Sequence, residues 1–485
     1  MNPPPHQFLR QASALVIALL LFPLPATFAG GPLYVGGPGT VIPGIPYVWD
    51  NSQPIIYRVD SGPLSQKPNG GPIVIDNAHG LTRVQNMFNS WTALPTANLT
   101  ITNAGGLLAV GSFPANGDVK TANDFLTVTG EVAGQNPDPN SCYGGGQNPI
   151  MFDSDGSIFD ALGLAPEVIG FAFVCTDNPA TGKLRTAGAI LNGRFQDGIN
   201  DNSYNFELTS GQFDQAFTHE FGHFLGLGHS QINVDILLKA VNNQSFACGP
   251  DDTAGMPIMF PIIGLCPAKV TAGVPILAVD DAAWMSKFYP VVSPAPAGKT
   301  TFASAYGSLS GTVYFSDGVT PAQDVNIIAR NTNNSRRNAV SAVSGYLFTG
   351  NPGQTTTCVN PAAPTADTCS NPGDPFGSRD PALLGHFEIP LPPGTYTLSA
   401  ESVYEGFTGG SSVGPLDIPI PAPGTMTSGS TVTVTAGATT TFNITLQGTQ
   451  PRFDSFESAV LLSSPVPVRW LRREMLPEAE ERLPA

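Results

Sequence analysis

Three histidines and one glutamate lie within eleven residues near the middle of the chain, as His219, Glu220, His223 and His229. Residues four apart lie on one face of an α-helix, so His219 and His223 can direct their imidazoles at a single cation. Glu220 is rotated about 100° around the same helix, which suits it to reach a water on the metal rather than the metal itself. The spacing therefore predicts a metal site with a general base beside it.

A glycine stands one turn beyond the second of these histidines. Gly226 can adopt the left-handed conformation that ends a helix and turns the chain back, so that His229 becomes a third ligand. Three imidazoles leave the fourth tetrahedral position of zinc open for water, whose pKa zinc lowers to about 7. Glu220 would then act first as general base and afterwards as general acid. The predicted chemistry is hydrolysis.

The pattern HExxHxxGxxH resembles the signature of the metzincin zinc proteases. Ser230, directly after the third histidine, and the later run at 257–261 resemble the matrixin branch and its Met-turn. The resemblance covers about residues 45–291 and implies an α+β catalytic domain with a mixed twisted sheet and three main helices. It implies zinc bound by His219, His223 and His229, catalysis by Glu220, and structural roles at the site for Gly226, Met259 and Pro261.

The same resemblance implies how a peptide substrate is held. Substrate would lie antiparallel to an edge strand near 187–191, and residues 262–279 would set specificity. Two features depart from the family pattern. About thirty residues separate His229 from Met259, which predicts a flap pinned by Cys248, and no cysteine precedes Cys142, so the family's thiol latency switch is absent.

Apolar periodicity and turn residues place these motifs on regular elements. We predict a first domain at 54–291 that mixes strands with a few long helices. Its predicted strands are 54–59, 99–102, 125–128, 168–174 and 187–191, and its helices are 77–94, 212–225 and 280–288.

An acidic cluster in the first domain has the pattern DxDGxxxD. Its carboxylates, Asp153, Asp155 and Asp160, are candidate ligands for calcium. A plain acidic turn explains the cluster about equally well, because the glutamate that closes an EF-hand loop is missing. Both interpretations stay open.

A second domain is predicted at 303–448, after a Pro-rich linker at 292–302. It contains only strand patterns, which favours an all-β sandwich. Its Gly-rich and Pro-rich turns resemble the carboxypeptidase regulatory-like domain, a transthyretin-like sandwich. That resemblance implies an accessory role, with contact to a surface or matrix. Residues 449–485 form a mixed-charge tail.

The ends and the cysteines indicate export. An apolar run after Arg10, followed by small residues, predicts a secretory signal peptide at 1–29, and residues 30–53 form a Gly/Pro-rich arm that we expect to be loose. The run is too short to span a bilayer. Six cysteines fit an oxidising compartment and structural disulfides, and neighbours in sequence are the preferred partners: Cys142 with Cys175, Cys248 with Cys266, and Cys358 with Cys369.

A formal net charge of -16 argues against nucleic acid as a partner. The leading hypothesis is a secreted zinc-dependent endopeptidase that hydrolyses peptide bonds by attack of a zinc-bound water activated by Glu220. The main alternative is an inactive metalloprotease-like scaffold in a surface or matrix binding protein. A hydrolase that trims chain ends is a third. Retention of Glu220 argues against the scaffold, since a metal site alone needs only the histidines.

Overall fold

The computed structural model describes residues 31–33, 35, 44–130, 147–164, 166, 168–178, 181–200, 207–230, 232–241, 247–262, 264–323, 325–347, 380–402 and 431–448. The predicted signal peptide, the predicted tail and the cysteines Cys142, Cys358 and Cys369 lie outside the described residues. Among the described residues, no helix combines the length and the apolarity that a membrane crossing requires.

The first part of the chain alternates strands with helices. Its strands are β1 (Ile55–Val59), β2 (Ser65–Gln66), β3 (Ile73–Ile75), β4 (Ile101–Gly106), β5 (Pro149–Asp153), β6 (Gly170–Asn178) and β7 (Lys183–Asn192). Its helices are α1 (Asn77–Thr92), α2 (Ala122–Thr129), α3 (Ser157–Ala161), α4 (Ser210–Phe224), α5 (Val234–Val241), α6 (Pro250–Gly255), α7 (Lys269–Ala272) and α8 (Val279–Phe288).

Five of these strands form one mixed sheet in the order β4-β1-β5-β7-β6. Neighbouring strands in this sheet run parallel, except that β6 pairs antiparallel with β7. Helices α1 and α4 pack against the sheet and bury their apolar faces in a common core. The mixed α/β architecture agrees with the sequence prediction.

Two predictions about the strands are wrong. Residues 125–128 belong to helix α2, which a reciprocal capping box between Thr121 and Asp124 begins and left-handed Gly130 ends. Phe125 and Val128 are three residues apart on one buried helical face, a spacing that a short segment does not distinguish from a strand. The second error concerns the edge of the sheet. Residues 187–191 belong to β7, which pairs with β5 on one side and with β6 on the other, so the edge strand here is β6.

The arm is not loose where the structure describes it. Leu33, Val35, Tyr47 and Trp49 are buried. The Leu33 N–H donates to the Gly226 carbonyl at 2.7 Å, and the Trp49 indole N–H donates to the Phe224 carbonyl at 2.8 Å. Composition predicted an arm without partners, whereas its few apolar side chains complete the core beside the end of α4.

The long segment between His229 and Met259 contains helices α5 and α6. The predicted disulfide between Cys248 and Cys266 is present, with Cα atoms 5.5 Å apart. A small separate core accompanies it, formed by Ile236, Leu237, Met256, Phe260, Ile262 and Leu265. The segment is therefore a packed insertion with its own apolar interior.

The C-terminal part has a short helix, α9 (Phe302–Ala305), and then two sheets. The first, in the order β10-β9-β12-β13, is antiparallel throughout, and the second has the order β11-β8-β14 with β15 also paired to β8. We call these the C-terminal sheets. Their strands are β8 (Gly307–Tyr314), β9 (Val325–Asn331), β10 (Ala339–Val343), β11 (His386–Leu391), β12 (Gly394–Ser402), β13 (Thr431–Val434), β14 (Thr439–Thr441) and β15 (Ile444–Thr445).

The predicted linker at 292–302 lies against the first part of the chain. The Lys299 ammonium donates to the carbonyls of Thr92, Leu94 and Ala97 at 2.8–3.0 Å, and the Thr300 N–H donates to the Pro95 carbonyl at 2.8 Å. These bonds fasten the connection to the end of α1.

Candidate metal centre

Helix α4 carries two of the three histidines, and its start is well defined. Thr209 and Gln212 form a reciprocal capping box that satisfies N–H groups at the first turn. The helix packs on α1, where the rings of Phe88 and Phe221 stack with centroids 4.0 Å apart. The Trp91 indole N–H donates to the Thr218 carbonyl at 2.9 Å. The ligand-bearing turn is thus fixed from behind by buried aromatic residues.

The helix ends where the sequence predicted. Gly226 has φ 88°, the left-handed conformation, and the Leu227 N–H returns to the Gly222 carbonyl at 2.9 Å. The Tyr289 hydroxyl donates to the Leu225 carbonyl at 2.7 Å and so satisfies an acceptor at the helix end. This turn brings the chain back over the last turn of α4.

The three imidazoles converge. The Nε2 atom of His229 lies 3.1 Å from Nε2 of His223 and 3.1 Å from Nε2 of His219. Zinc bonds of about 2.0–2.1 Å in tetrahedral geometry separate two ligand nitrogens by about 3.3–3.4 Å. The spacing therefore fits one small cation, and among the described residues this is the one cluster of three or more metal-ligating side chains.

Two of the rings are held by backbone carbonyls through their other nitrogen. His219 Nδ1 lies 2.7 Å from the Ile258 oxygen, and His223 Nδ1 lies 2.8 Å from the Leu227 oxygen. A carbonyl accepts only from a protonated nitrogen, so the proton is on Nδ1 and the lone pair of Nε2 faces the cluster. That is the tautomer that a metal requires.

Burial also keeps these rings neutral. It lowers the pKa of His219 to about 4 and of His223 to about 3, and in His223 the neighbouring His219 adds to the effect. The pKa of His229 is lowered well below its ordinary value by burial and by the two other histidines. Neutral imidazole is the form that coordinates zinc.

Glu220 follows His219 on helix α4 and is half-buried. Its carboxylate accepts a hydrogen bond from the Ala172 N–H of edge strand β6 at 2.8 Å. Burial raises the pKa of this carboxyl to about 8. A cation nearby would favour the ionised form. The edge strand therefore holds one oxygen of the carboxylate in place.

Met259 lies under the helix between the first two histidines. A Cβ atom built on Gly222 would lie 2.2 Å from the Met259 sulphur, so glycine is needed for this close approach. Pro261 is buried two residues later. The resemblance implies a methionine floor beneath the metal, which stays a prediction, and the contact that the structure shows is the one with Gly222.

Sequence reasoning missed how the Met259 segment is held. The Asp281 carboxylate accepts hydrogen bonds from the N–H groups of Ile258 at 2.8 Å, Met259 at 3.0 Å and Ala278 at 2.7 Å. In the sequence, Asp280 and Asp281 were interpreted only as acids that suit a helix start. An aspartate pair about twenty residues after a Met-turn is the signal that could have indicated this anchor.

The calcium prediction is not supported. Asp153 is buried and accepts the Phe159 N–H at 2.9 Å, Asp155 accepts the Ser157 N–H at 3.1 Å, and Asp160 pairs with Arg194. Each carboxylate has a protein partner, and the three do not converge on a common point within the described residues. The cluster is the acidic turn that the sequence left as the alternative.

Comparison with known proteins gives one family. Residues 100–260 match the matrixin family, and this stretch runs from just before β4 to the residue after Met259. No curated protein matches the sequence. Among solved structures, a leucine-rich repeat protein from Bacteroides thetaiotaomicron is 17% identical over 30% of this chain and 12% of its own length, with a TM-score of 0.16. A likeness that low carries no argument about fold or function.

Proposed function

Because residues 100–260 match the matrixin family, we propose that the protein is a secreted zinc metalloendopeptidase. One observation carries the proposal. Three buried imidazoles turn their Nε2 atoms to a common point, two of them with Nδ1 fixed on backbone carbonyls, and Glu220 follows the first ligand on the same helix. A metal scaffold alone would need no carboxylate there.

In this proposal, His219, His223 and His229 hold the metal as neutral ligands and leave one position open. When bound, zinc supplies a Lewis acid that polarises a peptide carbonyl and acidifies water. Glu220 removes a proton from the attacking water and passes it to the departing amine nitrogen, a role worth about 10²- to 10⁴-fold in rate. The hydrogen bond from the Ala172 N–H to one oxygen of Glu220 supports this role, because it restrains the carboxylate.

The outer edge of β6 is the proposed place for the substrate backbone. Ala172 of this edge strand is bonded to Glu220, so an extended peptide paired along β6 would pass the catalytic carboxylate. Adding a strand to a free sheet edge is a common way to bind extended peptides. Cleavage within a chain follows from binding on both sides of the cut, and residues 262–279 remain the predicted wall of the specificity pocket.

Secretion is part of the proposal. The Cys248–Cys266 disulfide and the predicted signal peptide at 1–29 support an extracellular location. We further propose that the C-terminal sheets form the transthyretin-like sandwich predicted from sequence. Their contact with a surface or matrix remains a prediction.

The test is zinc content and casein cleavage in matched variants. Glu220→Gln keeps an oxygen for the Ala172 N–H, so we expect zinc to be retained and cleavage to fall by at least about a hundredfold. His223→Ala should lose both zinc and activity. His79→Ala, at an exposed histidine of α1, is the control and should change neither.

Two results would contradict the proposal. Wild-type rates in Glu220→Gln would remove the carboxylate from the reaction. A wild-type protein that binds one zinc but cleaves no protein or peptide would favour the scaffold alternative.

A further inference from the structure

Helix α8 covers the outer edge of strand β10 and hydrogen-bonds its backbone. The Ser341 N–H donates to the Asp280 carboxylate at 2.9 Å, and the Ser341 carbonyl accepts from the Trp284 indole N–H at 2.9 Å. Asp280 and Trp284 are one helical turn apart, so together they hold both polar groups of one residue. β10 is the last strand of its sheet, and these are groups that an edge strand otherwise leaves without sheet partners.

The same carboxylate reaches the segment that carries the third histidine. The Ser230 side chain lies close enough to Asp280 to lower the pKa of that carboxyl, and the Ser230 N–H donates to the Met259 carbonyl at 2.8 Å. Ser230 directly follows His229 and is fully buried. Asp280 therefore joins β10 on one side to the residue after a metal ligand on the other.

A second contact holds the insertion to the C-terminal sheets. Arg336, in the loop before β10, pairs with Asp252 of α6 at 2.6 Å and with Asp235 of α5 at 3.2 Å. A Cβ atom on Gly255 would lie 2.0 Å from the Arg336 carbonyl oxygen and 2.8 Å from the Arg337 Cα. Backbone meets backbone here, so neither side can give way by a side-chain rotation.

We propose that the C-terminal sheets are a structural component of the metal centre, an inference that rests on the proposed function. Strand β10 and the loop before it hold, through Asp280 and through Gly255, the chain between His229 and Met259. An independent adhesive spacer would need neither the buried bond between Ser341 and Asp280 nor the backbone contact at Gly255. Asp280 and Ser230 are thus positioning residues for His229 and act without touching the substrate.

The sharpest perturbation is Gly255→Ala, a methyl wedge between the two parts of the chain. The matched control is Gly249→Ala at the start of the same helix, where a Cβ atom would lie an ordinary 3.5 Å from the nearest side-chain oxygen of Asp252. We expect Gly255→Ala to weaken zinc binding about tenfold, the lower end for partners that orient metal ligands. Amide hydrogen exchange of residues 226–232 should also become faster, while Gly249→Ala matches the wild type in both measurements.

A second variant set covers a failure of Gly255→Ala to fold. Asp280→Asn keeps an acceptor for the Ser341 N–H and a partner for Ser230, whereas Asp280→Ala loses both. Lys287→Met is the control, since it breaks another ion pair to the C-terminal sheets, with Glu388 at 2.6 Å, and has no bond to Ser230. Zinc affinity should fall in Asp280→Ala and be largely kept in Asp280→Asn and Lys287→Met.

The zinc measurements separate the two proposals. Equal zinc affinity and equal exchange in Gly255→Ala and Gly249→Ala would overturn the positioning role and leave the protease proposal intact. If zinc affinity falls in Gly255→Ala and Asp280→Ala but not in their controls, and the wild type shows no proteolytic activity, the positioning role is supported and only the proposed function is overturned. Absence of zinc binding in the wild type would overturn both.

Discussion

Asp281 holds the Met259 segment with three hydrogen bonds, and removing them gives a prediction with a definite size. One oxygen accepts the N–H groups of Ile258 and Ala278, and the other accepts that of Met259. All four residues are buried. A buried donor left unpaired costs about 1–3 kcal/mol, so Asp281→Ala should cost about 3–9 kcal/mol. That approaches the whole stability of a typical domain, about 5–15 kcal/mol.

Asp281→Asn is the informative variant because it removes only part of this anchor. The amide oxygen can take the two donors that share one carboxylate oxygen, while the amide NH₂ then faces the third N–H. One lost hydrogen bond predicts a fall of about 1–3 kcal/mol in the free energy of unfolding. The Ile258 carbonyl holds His219, so zinc affinity should fall as well, by about tenfold.

Urea unfolding followed by tryptophan fluorescence measures the first effect, with and without saturating zinc. Chelator competition measures the second. Asp251→Asn is the control, since this aspartate is exposed on α6. If Asp281→Asn and Asp251→Asn unfold at the same urea concentration and bind zinc equally, the hydrogen bonds to Asp281 do not support the metal centre.

Three further predictions concern other parts of the first domain. Gly222→Ala places a methyl group 2.2 Å from the Met259 sulphur and should lower the free energy of unfolding by about 1–3 kcal/mol; Met259→Ala should relieve part of that loss in a double-mutant cycle, and strict additivity would disprove the contact. Burial raises the pKa of Asp60 from 3.8 to about 7, so the folded protein binds this proton more tightly than the unfolded chain. The stability that this group contributes is complete below pH 4 and is lost as the pH rises through 7. Asp60→Asn should therefore make the urea midpoint depend less on pH between 4 and 7. The same pH dependence in Asp60→Asn and in the wild type would refute the raised pKa of Asp60. Replacing Cys248 and Cys266 by alanine should cost about 3 kcal/mol, because the bond closes a short loop; a wild type whose unfolding is insensitive to reductant would contradict this.

The sequence was sufficient for the parts of the site that depend on local spacing. The helix, the facing of His219 and His223, and the left-handed Gly226 all follow from residues within one or two turns of each other. The same locality explains the disulfide, whose cysteines are neighbours along the chain. Met259 was found only through a resemblance, because nothing local distinguishes it from another buried methionine.

The failures share a different cause. Helix α2 was predicted as a strand because its short apolar pattern fits either element and the capping box at Thr121 and Asp124, which marks a helix start, was not considered. The arm was predicted to be loose because Leu33 and Trp49 find their partners about 175–195 residues later in the chain. The role of Asp281 depends on N–H groups 22 and 23 residues before it. Periodicity carries no information about such distant partners.

The filled edge of β10 also bears on how this chain can be divided. A fragment that begins after residue 302 would keep both C-terminal sheets but lose the helix that covers Ser341, and its bare strand would offer a template for self-association. A fragment that ends before residue 302 would expose Trp284, which is now buried. In expression trials we therefore expect either half to aggregate alone and both to be soluble when they are produced together. Recombination at the linker during evolution would expose the same two surfaces.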